Sequence, residues 1–235
     1  MKQKRRLRVL IGGERFGVIR NAFLLAGHYA ISCDLVESKA IGPHYVGPWE
    51  DIENRGYDLA IFHRTCTYLA NSGVKHLYTD GRKRNGIDSD RWMKMGNDAW
   101  AFWNHMQTCP IPHVAWENPI MHGYAQQMIG PPTQIVQPWW FGTDSDGPDN
   151  VTKATGWWLK DLPPLRKTGT LSGLTARAEV HAMGPTKDPE DRRMARSKSP
   201  PGMAEAIADQ WGRAVSGTID SAVRNRVNQI KPEGN

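Results

Sequence analysis

Cys66 and Glu117 are the two side chains of this sequence whose settings suit covalent chemistry. Each stands just past a short apolar run, Tyr57 to Phe62 in one case and Pro112 to Trp116 in the other. Runs of that length, bounded by polar residues, read as buried strands. Ligands of open α/β sheets gather outside the carboxyl ends of such strands. A thiolate held there can attack an electrophilic carbon, and a carboxylic acid can supply the proton that relieves the charge created. The residues alone leave another reading open. A lone cysteine often serves as a small hydrophobe, and a carboxylate can serve as a cap. Glu117 argues harder for chemistry, because a carboxylate beyond an apolar strand, followed by Asn118-Pro119, is costly to place without a purpose.

A third feature is the loop after the first apolar run, Gly12-Gly13-Glu14-Arg15-Phe16-Gly17, entered from Ile11 and followed by a helical stretch from Val18 to Ala26. Glycines between strand and helix let a backbone approach a nucleotide or S-adenosylmethionine, with helix amides beyond. The spacing is not a clean G-x-G-x-x-G, and a plain tight turn remains the alternative. Asp34 ends the next run, Tyr29 to Cys33, about 20 residues on, where an acid takes ribose hydroxyls. Together the thiol and the acid match one chemistry. A thiolate adds to C6 of a cytosine, protonation at N3 follows, and C5 becomes nucleophilic towards an activated methyl group.

The elements that must position these groups alternate in βαβ fashion. After the runs already named come a long aromatic-rich helix from Asp90 to Thr108, a short one from Ile120 to Ile129, and late strands at Thr133 to Gln137 and Ala154 to Leu159. The expected organisation is a catalytic domain over 1–162 and a basic, Pro/Gly-rich loop or reduced recognition segment over 163–200. A helix over 201–224 packs back on the domain, and a disordered tail covers 225–235. The loop carries Arg166, Lys167, Arg177, Lys187, Arg192, Arg193, Arg196 and Lys198, a density suited either to phosphates or to a solvated surface.

Composition narrows the classes. With 235 residues, 39% hydrophobic, the chain suffices for one α/β domain with an extension. No apolar run approaches the roughly 18 residues of a membrane span, and the basic start does not read as a signal peptide. Three widely spaced cysteines, Cys33, Cys66 and Cys109, argue against a disulfide framework and a zinc cluster and fit a reducing cytoplasm. A net charge of +6 favours a polyanionic partner.

The ordered set of motifs resembles the cytosine-C5 DNA methyltransferases, and most closely small phage and prophage members without a large target-recognition domain. The glycine loop, Cys66 and Glu117-Asn118-Pro119 follow the family's order over about the first 160 residues. Strings similar to Ser32-Cys33-Asp34-Leu35, Cys66-Thr67-Tyr68-Leu69-Ala70-Asn71-Ser72-Gly73, Thr152-Lys153-Ala154-Thr155 and Leu162-Pro163-Pro164-Leu165 occur in those members, as does a closing helix like Ala208-Asp209-Gln210-Trp211-Gly212. The resemblance implies a Rossmann-like S-adenosylmethionine methyltransferase sheet, mostly parallel with one antiparallel strand and helices on both faces. It implies S-adenosyl-L-methionine as cofactor and, as partner, DNA with a flipped or single-stranded cytosine, in a phage-infected bacterial cytoplasm. Catalysis falls to Cys66 as nucleophile and Glu117 as N3 proton donor, with Arg64 and Asn118 supporting. The cofactor set is Ile11, Gly12, Gly13, Glu14, Phe16, Gly17, Asp34, Leu35 and Trp49. The substrate set is Thr65, Thr67, Pro119, Lys153 and Thr155.

Two departures stand close to the chemistry. Arg64-Thr65 replaces the prolines that the family carries before its nucleophile, and Pro48-Trp49 replaces an aspartate that bonds the adenine amine. Arg64 is expected beside the thiol, favouring thiolate, or against an anion such as a phosphate or the carboxylate of a carboxylated S-adenosylmethionine. A catalytically silent DNA- or cofactor-binding protein is the alternative. Among the tryptophans, Trp92, Trp100 and Trp103 are expected in the core or in helix packing. One member of each pair, Trp139-Trp140 and Trp157-Trp158, is expected to point outward and offer a face to a base.

Overall fold

A computed structural model describes residues 5–178 and 197–230. Seven strands form one sheet: β1 (Arg8–Gly12), β2 (Tyr29–Asp34), β3 (His44–Val46), β4 (Leu59–His63), β5 (His113–Pro119), β6 (Gln134–Val136) and β7 (Thr155–Lys160), in the order β3-β2-β1-β4-β5-β7-β6. β7 runs antiparallel to both β5 and β6, and every other pairing is parallel. The result is a Rossmann-like, mostly parallel α/β sheet with one reversed strand.

Helices α1 (Val18–Leu25) and α4 (Pro201–Ile230) cover one face, while α2 (Ser89–Thr108) and α3 (Gly123–Ile129) cover the other. Strand residues alternate between the two cores. Val9, Ile11, Leu59, Ile61, Ala115 and Trp157 pack toward α1 and α4, and Leu10, Ala60, Phe62, Val114, Trp116 and Trp158 toward α2 and α3. Coverage on both sides explains why the central strands are continuous apolar runs. It also corrects the expectation for Trp157-Trp158. Both are buried, because Trp211 of α4 meets Trp157 at 5.3 Å between rings and Phe102 of α2 meets Trp158 at 5.1 Å.

Several boundaries differ from the sequence reading. β5 continues through Glu117-Asn118-Pro119 because β7 pairs with it as far as Pro119 opposite Thr155. α3 starts only at Gly123, where the His122 ring accepts from the Ala125 amide, while Met121 bridges to Ala70 instead of joining the helix. α4 runs past Val215 to Ile230, so most of the expected tail over 225–235 is helical, and residues 231–235 lie outside the described ones. Trp100 and Trp103 stand exposed on α2 rather than in the core. The first part of the expected loop, 163–178, is tied down: the Thr168 and Gly169 amides donate to the Trp140 carbonyl, and Leu165 and Leu171 are buried. Lys187, Arg192, Arg193 and Arg196 lie outside the described residues. Among those described, no helix is long and apolar enough to cross a membrane.

Candidate functional site

The carboxyl ends of β4 and β5 bring Cys66 and Glu117 to one place. Parallel register sets His63, the last residue of β4, opposite Glu117. The pairing continues past the strand end, with the Arg64 amide 3.4 Å from the Glu117 carbonyl. Asn118, fully buried, donates from Nδ2 to the Arg64 carbonyl at 3.3 Å and lies 3.5 Å from that of Thr65. Its side chain therefore holds the loop that carries the thiol. The Cys66 carbonyl then accepts from the Leu69 and Ala70 amides, turning the chain at once. His122 fastens that turn, its Nε2 donating to the Tyr68 carbonyl at 2.8 Å while Nδ1 caps α3. The expected pair of nucleophile and acid is thus brought together between the loop after β4 and the end of β5, by main-chain bonds and the Asn118 side chain. Thr65 and Thr67 flank Cys66 in exposed positions.

Cys66 is partly exposed, whereas Cys33 and Cys109 are buried. Burial pushes the Cys33 thiol up to about 12 and that of Cys109 upward as well, which leaves both inert as nucleophiles. Around Cys66 the organising cation is Lys153, placed at this end because β7 enters the sheet reversed just two residues later. Burial pushes the Lys153 ammonium down, and the neighbouring Glu117 and Cys66 pull it partly back. Burial also pushes Glu117 up, but a 3.1 Å contact from His63 Nδ1 to Oε2, together with Lys153, outweighs it and holds the carboxyl below its ordinary range.

Arg64 is not the cation beside the thiol, and that expectation is corrected. Its Nη1 lies 2.9 Å from His105 Nδ1, and its guanidinium sits over the rings of Trp49 and Phe102. Burial lowers its basicity, while Glu50, Asp98 and Glu53 offset the effect. The residue serves the α2 side of the sheet. Thr155 is likewise corrected as a base contact: it is buried and its hydroxyl donates to the Lys153 carbonyl. Pro119 is engaged in the sheet opposite it.

His105, Glu53 and Cys109 bring three potential metal-ligand atoms within 4.8 Å of one another. The tautomer argues against a cation there. Trp116 Nε1 can only donate, so His105 Nδ1 accepts from it at 3.1 Å, and Nε2 carries the proton that bonds Glu53 at 3.0 Å. A metal at Nε2 would need that proton gone and Arg64 left beside it.

At the β1 end the expected cofactor loop is present, yet its glycines answer to the protein's own packing. A Cβ on Gly12 would overlap Phe62 and crowd Trp49, one on Gly13 would overlap the His63 carbonyl, and one on Gly17 the Arg20 guanidinium. Gly13 and Gly17 also hold positive φ of 73° and 63°. Glu14 is corrected as a cofactor contact. It is buried, its carboxylate accepting from the Ile19 amide at 2.6 Å and the Arg20 amide at 3.1 Å, so that it caps α1 in place of the side-chain-less Gly17. Ile11 is fully buried in the core and offers a ligand only its backbone.

Other members of that set remain open to a ligand. Asp34 is half-buried at the end of β2, and among the described residues its carboxylate accepts one hydrogen bond, from the nearby Val36 amide at 3.3 Å. Leu35 is exposed, and Phe16 is half-buried on the loop. Trp49 stacks on His105, and its Nε1 is buried with no hydrogen-bond partner among the described residues.

Two features escaped the sequence reading. His63 became visible as a site residue only through its register with Glu117. Arg20, fully buried, ties the 38–43 loop to α1 by donating to the Ala40, Ile41 and Pro43 carbonyls. Of the basic segment, Lys167 donates to the Leu171 carbonyl and Arg177 to those of Ser145 and Gly147, while Arg166 and Lys198 are exposed. Another exposed basic group follows the Cys66 turn in the chain, comprising Lys75, His76, Arg82, Lys83 and Arg84. No protein-family model matches the chain, and no curated protein matches it in sequence.

Proposed function

We propose that this chain is an S-adenosylmethionine-dependent DNA cytosine-C5 methyltransferase acting through a covalent Cys66 adduct. The observation that carries the reading is the convergence of Cys66, Glu117, Asn118 and Lys153 at the carboxyl ends of β4 and β5. A part-exposed thiol, a largely buried carboxyl and a cation interacting with both are the groups that addition to a pyrimidine ring requires. The reversed β7 in an otherwise parallel sheet agrees with the sheet that the sequence resemblance implies.

The cofactor end fits S-adenosylmethionine in two respects. Among the described residues, the Asp34 carboxylate has one local bond and capacity left for ribose hydroxyls, and Trp49 Nε1 is a donor without an acceptor on the residue that flanks Gly12. Once bound, the cofactor supplies an activated methyl group. Lys153 favours the Cys66 thiolate by its charge, and the thiolate attacks C6 of a cytosine turned out of its stack. Glu117, ionised before the base arrives, takes up a proton from solvent as the cytosine enters and passes it to N3 as negative charge develops in the ring, and the Lys153 charge stabilises the carboxylate left behind. Asn118 keeps the sulfur loop and the acid in register. Lys75, His76, Arg82, Lys83 and Arg84 supply backbone contacts beside the Cys66 turn, giving weak sequence discrimination and strong salt dependence.

Mass spectrometry of nucleosides from DNA incubated with the protein and S-adenosylmethionine tests the reading. New 5-methylcytosine that vanishes with Cys66→Ala is the expected result, and no modified base sinks it. A DNA- or cofactor-binding protein without turnover is the second reading, favoured by the tight packing of Gly12 against Phe62 and Trp49. DNA retention with no modified base would support it. Transfer of a carboxymethyl group loses its main argument, since Arg64 is committed to His105.

A further inference from the structure

His63 closes β4 directly opposite Glu117, with Nδ1 3.1 Å from Oε2 and both side chains largely withdrawn from water, 16% and 13% exposed. Its other nitrogen, Nε2, is buried with no hydrogen-bond partner among the described residues. A buried imidazole satisfied on only one side is an expensive filler for a strand end. The groups around it are Glu117 from β5, Glu14 from the β1–α1 turn, and Lys153 acting on the same carboxylate from ahead of β7. The Trp157 ring lies 6.4 Å away, edge to face.

We propose that His63 is a positioning residue for Glu117: its Nδ1–H holds Oε2, so that Oε1 is the oxygen that exchanges a proton with cytosine N3. The inference rests on the transferase reading above and adds a positioning group to the acid. The competent site holds a neutral imidazole protonated at Nδ1 and a Glu117 carboxylate that, ionised in the free protein, takes a proton from solvent at Oε1 as the cytosine enters. As the bond from sulfur to C6 forms, the ring's electron pair shifts toward N3, and the Oε1 proton passes to it. The contact from Nδ1–H to Oε2 then becomes charge-assisted and steadies the new carboxylate. After methyl transfer the C5 proton leaves to solvent, the sulfur–C6 pair returns to the thiolate, and N3 returns its proton to Oε1.

Two variants of the full chain test this, His63→Gln and His63→Ala, assayed for methyl transfer and for trapping of a 5-fluorocytosine oligonucleotide at about pH 7. Alanine removes the donor to Oε2 and should lower kcat by about 10²-fold with KM for DNA little altered. Glutamine keeps an N–H near Oε2 and should restore at least about tenfold of that loss, again with KM unchanged. A kcat of His63→Ala equal to that of the wild type, or a loss that glutamine does not restore, overturns the inference while leaving the transferase intact. A wild-type chain that neither methylates nor traps the oligonucleotide overturns both.

Discussion

His105 should govern much of the acid side of the stability curve, and Gln is the substitution that isolates it. Burial first, and the Arg64 guanidinium second, hold this imidazole down to about 4, against about 6.5 in an unfolded chain. Because the folded group takes its proton later than the unfolded one, falling pH favours unfolding. The contribution is complete above about pH 6.5 and is lost progressively as the pH drops toward 4. A gap of about two and a half pH units is worth about 3 kcal/mol, a large part of a typical stability of about 5–15 kcal/mol. In His105→Gln the amide oxygen can still accept from Trp116 and Arg64, and the amide nitrogen can still donate to Glu53, but nothing there titrates. Urea unfolding of both chains at pH 7, 5.5 and 4 measures the difference, and carboxylates common to both cancel. The wild type should lose about 3 kcal/mol more than the variant between pH 7 and 4. Equal losses would mean that the imidazole accepts a proton in place, and the account of Arg64 and His105 would be wrong.

Replacing Lys153 by Met removes the cation shared by Cys66 and Glu117, and trapping of a 5-fluorocytosine oligonucleotide should slow about tenfold or more at neutral pH, as stopped time courses would show. Glu14→Ala strips the cap from α1 and should cost about 1–2 kcal/mol in thermal unfolding, with Gln recovering part of it through its amide oxygen. Gly13→Ala combines a positive φ with an overlap on the His63 carbonyl, so its loss in the same assay should exceed about 1 kcal/mol. Trp211→Ala empties the contact between α4 and Trp157, and about 3–5 kcal/mol should go with it in urea unfolding.

Much of the scaffold was legible because its signals are local. Apolar runs of strand length marked six of the seven strands, and the alternation of strand and helix set the α/β class. The 44–46 strand was missed because three residues between prolines and glycines carry no periodic pattern. The Glu117-Asn118-Pro119 string reads as a loop in one dimension. It is strand because β7 returns antiparallel beside it, and no residue in the string announces that partner. The length of α4 was missed for a related reason: its later turns lack the apolar spacing that marks its first half.

By itself, the sequence determined the chain order of the thiol, the acid and the glycine turn, and the strand ends on which they sit. Those follow from burial patterns that each segment carries alone. Tertiary structure decided which charge meets which group. Arg64, next but one to Cys66 in the chain, turns its guanidinium to the α2 face, while Lys153, far along the chain, reaches the thiol. Alternation at the end of β4 sends His63 toward Glu117 and its neighbour Arg64 to the α2 side, and the chain leaves the strand before Cys66, so nearness in sequence misleads there. The register of β4 against β5 alone puts His63 on Glu117. Glu14 shows the same limit from the other side. A carboxylate beside a glycine loop looks like a ligand group until the fold turns it inward, because the first amides of α1 need an acceptor that Gly17 cannot supply.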